Sequence, residues 1–193
     1  MTTDVLVGSR RALFGAAALG WLSSHIPQDP RPSKLRVATV ILVRHAEKVL
    51  DDSRDPDLTE RGERRAARFA ETLQAAGVTR LFTSDYVRTR RTLEPLAARV
   101  EPKLEVYDVR DPAAFAADLR ALPHGSVAVV SGHSNTVPDL VTRLGGELSG
   151  LDAKGHLDES EYDRVVVQTL VATEPDAPLR AIQTLDLRLT IPD

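Results

Sequence analysis

The sequence predicts an α/β fold, a three-layer α/β/α sandwich on a mostly parallel central sheet, and two observations carry that expectation. Leu35–Val43 and Ser126–Ser131 are nearly continuous runs of apolar and β-branched residues, the pattern of strands buried on both faces. Around them, strand-like segments alternate with segments of helical periodicity, so helices are expected to serve as crossovers between parallel strands. With 193 residues, the chain is long enough for one domain with a substantial core.

The elements follow in order. After the Leu35–Val43 strand, Thr59 is placed to cap a helix whose first turn carries Glu60 and Glu63, favourable at the positive end of the helix dipole. Ala66, Phe69, Ala70 and Leu73 share one face of that helix, and Gly77 supplies its stop. Leu81–Thr83 reads as a short strand. A helix is expected from about Tyr86 to Val100, with Leu93, Leu96, Ala97 and Val100 inward and with Pro95 kinking or restarting it. Leu104–Tyr107 is a further short strand. Asp111-Pro112 starts the next helix, the carboxylate as cap and the proline at the first helical position. The Ser126–Ser131 strand leads to a helix over Ser134–Leu144 ending at Gly145, and two final strands are expected over Arg164–Val171 and Leu179–Leu187.

Residues 1–30 differ in character from the rest. Arg10-Arg11 precedes an apolar run from Ala12 to Leu22 that is nearly free of polar residues. This reads as a twin-arginine-type export signal and linker, and 31–193 as the folded domain. The run is short for a bilayer span, which takes roughly 20 residues. A periplasmic or secreted location is therefore expected, cytoplasmic if the segment is not a signal. No clear small-residue cleavage site follows it.

There is no cysteine, which excludes a disulfide framework, a thiolate metal site and a cysteine nucleophile. A net charge of −3 gives no global pull toward nucleic acid or acidic membranes, and neither is expected as a partner beyond an uncleaved N-terminal segment. An anionic ligand would need a locally basic pocket. In sheets of this kind the ligand lies beyond the carboxyl ends of the strands. The residues just past those ends are Arg44-His45, Ser84-Asp85 leading to Arg88, Tyr107-Asp108 and Gly132-His133. Two arginines and two histidines suit a phosphoryl group, because guanidinium forks bind its equatorial oxygens and an unprotonated imidazole can attack phosphorus. The same arginines would repel a bound cation, so neither a metal nor any other cofactor is expected.

The local motifs carry a family resemblance. Leu42-Val43-Arg44-His45-Ala46-Glu47-Lys48 resembles the Arg-His signature of the histidine phosphatase (phosphoglycerate-mutase-like) superfamily. Leu58-Thr59-Glu60-Arg61-Gly62, Ser84 to Thr92 and Ser131-Gly132-His133-Ser134 resemble its next three elements, in the same order. The resemblance implies a phosphomonoesterase of the small branch without a large cap domain. It makes His45 the nucleophile that carries the phosphoryl group, and Arg44, Arg88 and His133 its binding pocket. A carboxylic acid would protonate the leaving oxygen. Asp108 is the expected acid, with Asp111 and Glu105 as alternatives, Asp111 being already explained as a cap.

Glu47 and Lys48 read either as charges supporting the nucleophile or as a solvated loop pair. His25, His124 and His156 read as linker, turn and loop residues, and the acidic run Asp158–Asp163 as a solvated face. The expected substrate is a phosphorylated small molecule or protein. The alternatives are a phosphohistidine protein phosphatase and a non-catalytic phosphate-binding module.

Overall fold

The computed structural model describes residues 35–174 and 176–191. Within them the chain alternates as β1 (Arg36–Arg44), α1 (Glu60–Leu73), β2 (Arg80–Thr83), α2 (Val87–Ala97), β3 (Leu104–Val106), α3 (Pro112–Arg120), β4 (Val127–Gly132), α4 (Thr136–Arg143), β5 (Arg164–Ala172) and β6 (Arg180–Arg188). The strands form one sheet in the order β3-β2-β4-β1-β5-β6. β1, β4, β2 and β3 are mutually parallel, whereas β5 runs antiparallel to β1 and β6 antiparallel to β5. The sheet is mostly parallel, as expected. Its antiparallel flank follows from the chain path: β5 starts with Val165 beside Val43, at the carboxyl end of β1, and can only run back. The short link to β6 then makes a hairpin.

Alternation along β1 sends successive side chains to opposite faces. Ile41 and Val43 pack with Phe69, Leu73, Leu93 and Leu96 of α1 and α2. Val40 and Leu42 pack with Phe115, Leu119, Leu140 and Val141 of α3 and α4. Both faces are covered, which is why the central stretches of β1 and β4, Val40–Val43 and Val127–Val130, are apolar.

The capping expectations hold in detail. Thr59 accepts a hydrogen bond from the Gly62 N–H at 3.1 Å, and Asp111 accepts one from Ala114 at 3.0 Å. α2 is shorter than its periodicity suggests. It continues through Pro95 and ends two residues later at Ala97, since proline gives the last turn no donor. The expected export segment and the 30/31 boundary lie outside the described residues. No helix among the described residues is long and apolar enough to cross a membrane.

Candidate active site

The parallel register brings the site residues together. Arg44 pairs with Gly132 across β1 and β4, and Thr83 with Ser131 across β2 and β4. One residue further on, the His45 N–H donates to the Gly132 carbonyl at 2.9 Å. His45 and His133 therefore leave adjacent strand ends side by side, edge to face with ring centroids 5.5 Å apart. Arg88 enters from the first turn of α2, its Nη2 3.4 Å from His133 Nδ1.

His45 is 3% exposed, and its Nδ1 lies 2.8 Å from the Ala46 carbonyl oxygen. A carbonyl only accepts, so Nδ1 carries the hydrogen and Nε2 the lone pair. Burial lowers the His45 pKa to about 3. The bond to Ala46 opposes that shift, and the charge of Arg44 adds to it. At neutral pH the ring is therefore unprotonated, the state that attack on phosphorus would require. Ala46 is itself held, its N–H donating to Thr92 Oγ1 at 2.9 Å while Thr92 donates to the Arg88 carbonyl at 2.7 Å. The segment bearing His45 is thus tied to the helix bearing Arg88.

Arg44 is 2% exposed. Its Nη1 donates to the carbonyls of Asp158, Glu159 and Glu161 at 2.8 to 3.2 Å, and its Nη2 to the Glu159 carboxylate at 2.7 Å. Tyr162 lies over the guanidinium, 4.3 Å from ring centroid to Cζ, and 5.9 Å centroid to centroid from His45. Arg88 has Tyr86 stacked on it at 4.3 Å and Asp55 3.2 Å from Nη1. The Nε–H groups of both arginines are buried without a protein acceptor. Two orphan cationic donors beside two neutral imidazoles form a site for a multiply charged oxyanion.

The expected acid is a correction. Asp108 does not join this cluster: Arg110 binds its two carboxylate oxygens at 2.8 to 2.9 Å on the same exposed loop. Those side-chain bonds lower the Asp108 pKa to about 2 and favour its ionised form. Asp111 is committed as the α3 cap, and Glu105 forms a bidentate pair with Arg80 at 2.7 Å. The acidic run does expose the side chains of Asp158 and Glu159, as expected, but its carbonyls also wrap Arg44. Glu159 lines a cleft of about 350 Å³ together with Arg88, His133, Ser134 and Lys48.

The profile of the histidine phosphatase superfamily (branch 1) matches residues 40–109, the segment that holds Arg44, His45 and Arg88. Over that segment the chain is similar to the histidine phosphatase superfamily. It is similar to a probable phosphoglycerate mutase GpmB of Cronobacter sakazakii, 44% identical over 82 residues, 36% of this chain and 38% of that protein. It is also similar to an 8-oxo-(d)GTP phosphatase of Mycolicibacterium smegmatis, 33% identical over 88 residues, 43% of this chain and 27% of that protein. The matches thus span well under half the length of these relatives. Among solved structures, the protein histidine phosphatase SixA complexed with tungstate shares the fold with a TM-score of 0.54 and 21% identity, covering 76% of this chain and 96% of that one.

Glu47 settles as a support. It binds buried Arg65 through both oxygens, at 2.8 and 2.7 Å, and also Arg61 at 3.2 Å. Its carbonyl accepts from the Thr59 N–H at 2.9 Å, and a Cβ on Gly62 would lie 2.2 Å from that same oxygen. Only glycine lets α1 approach the nucleophile segment this closely. Sequence reasoning missed Asp55, Glu159 and Tyr162. Asp55 lies in a polar loop without periodicity, and nothing in residue type marks it. Tyr162 did leave a faint signal, a lone aromatic closing an acidic run.

Proposed function

We propose that this chain is a phosphomonoesterase working through a phosphohistidine on His45. One observation carries the reading: His45 is buried with Nδ1 bound to the Ala46 carbonyl, leaving the Nε2 lone pair free on a ring that feels the charges of Arg44 and Arg88. A phosphoryl group is held by Arg44 and Arg88, whose planar donors match its equatorial oxygens. Nε2 attacks phosphorus, the P–N bond forms, and the bond to the leaving oxygen breaks. Water then attacks phosphorus, the P–N bond breaks, and phosphate leaves with the His45 lone pair restored.

With Asp108 removed from the role, Glu159 takes the proton transfer. It is the carboxylate lining the same cleft as Arg88 and His133, and it also meets Ser134 Oγ at 3.3 Å. Arg44 is a substrate ligand in this scheme, so an arriving phosphoryl group competes for it and releases Glu159. Arg110 has no such competitor for Asp108. The freed carboxylate takes up a proton from solvent, gives it to the leaving oxygen and afterwards accepts the proton of the attacking water.

The twin-arginine-type segment supports action outside the cytoplasm. A phosphohistidine protein phosphatase is a second reading, favoured by a cleft lined only by short loops and the first turns of α2 and α4. Hydrolysis of an aryl phosphate by the full chain tests the assignment. The wild type is expected to turn over and His45→Ala to be inactive, whereas near-wild-type rates in the variant would overturn the mechanism.

A further inference from the structure

Behind His133 lies a buried chain of hydroxyls that the reaction scheme does not use. Ser84 Oγ is 2.9 Å from His133 Nε2 and 2.8 Å from Thr89 Oγ1, and Ser84 and Thr89 are both fully buried. Thr89 Oγ1 in turn lies 2.9 Å from the Tyr86 carbonyl and 3.1 Å from the Ser84 carbonyl. Carbonyls cannot donate, so the single Thr89 hydrogen is committed to them, and Thr89 must accept from Ser84. Ser84 has then used its own hydrogen and must accept from His133 Nε2. The other side of the ring gives the same answer independently. Arg88 Nη2 sits 3.4 Å from His133 Nδ1, and a guanidinium has no acceptor, so Nδ1 carries the lone pair.

We propose that Ser84 and Thr89 are positioning residues that fix His133 as its Nε2–H tautomer, so that His133 binds a tetrahedral oxyanion only by taking up a proton at Nδ1. The neutral ring turns a lone pair toward the Arg88 side of the cleft, where it repels an anionic oxygen. Protonation makes the same atom a donor. In the free protein the proton is disfavoured by burial and by Arg88 and Arg44, with Asp55 opposing them, and the His133 pKa falls to about 4. His45 and Tyr86 face the ring edge to face at 5.5 and 5.1 Å, and Lys48 and Glu159, of opposite charge, line the same cleft. A dianion between the arginines reverses the balance, and anion and proton bind together. This coupling rests on the phosphoryl-site reading above, but the tautomer does not.

The test is ¹⁵N spectroscopy of histidine-labelled full chain at pH 7, with His133 assigned by its loss in His133→Gln. Sulfate is the probe, since its charge is constant over this range. Without it, Nε2 is expected to be of the protonated type and Nδ1 of the lone-pair type. Added sulfate should convert Nδ1 to the protonated type, and sulfate affinity should fall about tenfold per pH unit of increase. Thr89→Val frees the Ser84 hydrogen to point at Nε2 and leaves only Arg88 favouring the Nε2–H form, so a measurable fraction of the neutral ring should shift to Nδ1–H and the pH slope become shallower, while Thr89→Ser retains both. An Nδ1–H wild type, a His133 that stays neutral or binds no sulfate, a proton taken up on His45 instead, or a valine variant with wild-type tautomer and slope would each overturn the proposal. These signals are read without turnover, so failure here is separate from failure of the phosphatase assignment, which the hydrolysis assay reports.

Discussion

Glu159 sets a carboxylate oxygen 2.7 Å from Nη2 of Arg44, the side chain exposed on one partner and fully buried on the other (78% and 2%). An exposed carboxylate that reaches a buried cation is placed to leave when a better anion arrives, and that is the basis of its assignment to proton transfer. Glu159→Gln keeps the shape and removes the proton. The expected signature is selective. Turnover of alkyl phosphates should drop by about 10²- to 10⁴-fold, while a nitrophenyl ester, whose leaving oxygen needs no proton, should lose less than about tenfold. Equal losses for both esters would remove Glu159 from this role.

The pH dependence follows from His45. Only the neutral ring attacks, and burial, opposed by the Ala46 bond and aided by Arg44, lowers its pKa from 6.5 to about 3. The acid limb of kcat/KM from this group therefore lies far below the ordinary histidine range. With an aryl phosphate, and the fold checked by circular dichroism, kcat/KM at pH 5 should be no lower than at pH 7. A decline centred near 6.5 would show that the nucleophile is not held as described.

Glu47 and Arg65 make the strongest stability prediction. Their side chains are 14% and 5% exposed, so deleting the carboxylate strands a buried guanidinium. Glu47→Ala should cost about 3–5 kcal/mol in urea unfolding, and a loss under about 1 kcal/mol would put the pair among ordinary surface bridges. Burial raises the Glu47 pKa, but the bonds from Arg65 and Arg61 outweigh it and the net shift is downward. A carboxylate with a depressed folded pKa stabilises above its unfolded pKa. This contribution is full above about 4.5 and disappears as the pH falls through the lower folded value.

Much of this was legible in the sequence because strand ends and motif order carry it. Arg44, His45, Arg88 and His133 each stand just past a buried strand or on the first turn after one, and parallel register does the rest. Asp108 met the same criterion and stands apart, because Arg110 two residues later closes a local ion pair that strand-end reasoning does not weigh. The wrapping of Arg44 was illegible for a different reason. Its acceptors are mostly main-chain carbonyls of residues 158–161, which every residue type possesses. The antiparallel flank was likewise hidden, since β5 and β6 read as strands whichever way the loop before them leads.

The central claim is the covalent step. Full-length protein mixed with an aryl phosphate, quenched in base where phosphohistidine survives, and mapped by mass spectrometry should carry phosphate on His45, with the adduct disappearing as substrate is exhausted. Turnover without any adduct under rapid quench, or phosphate mapped to another residue, would contradict it.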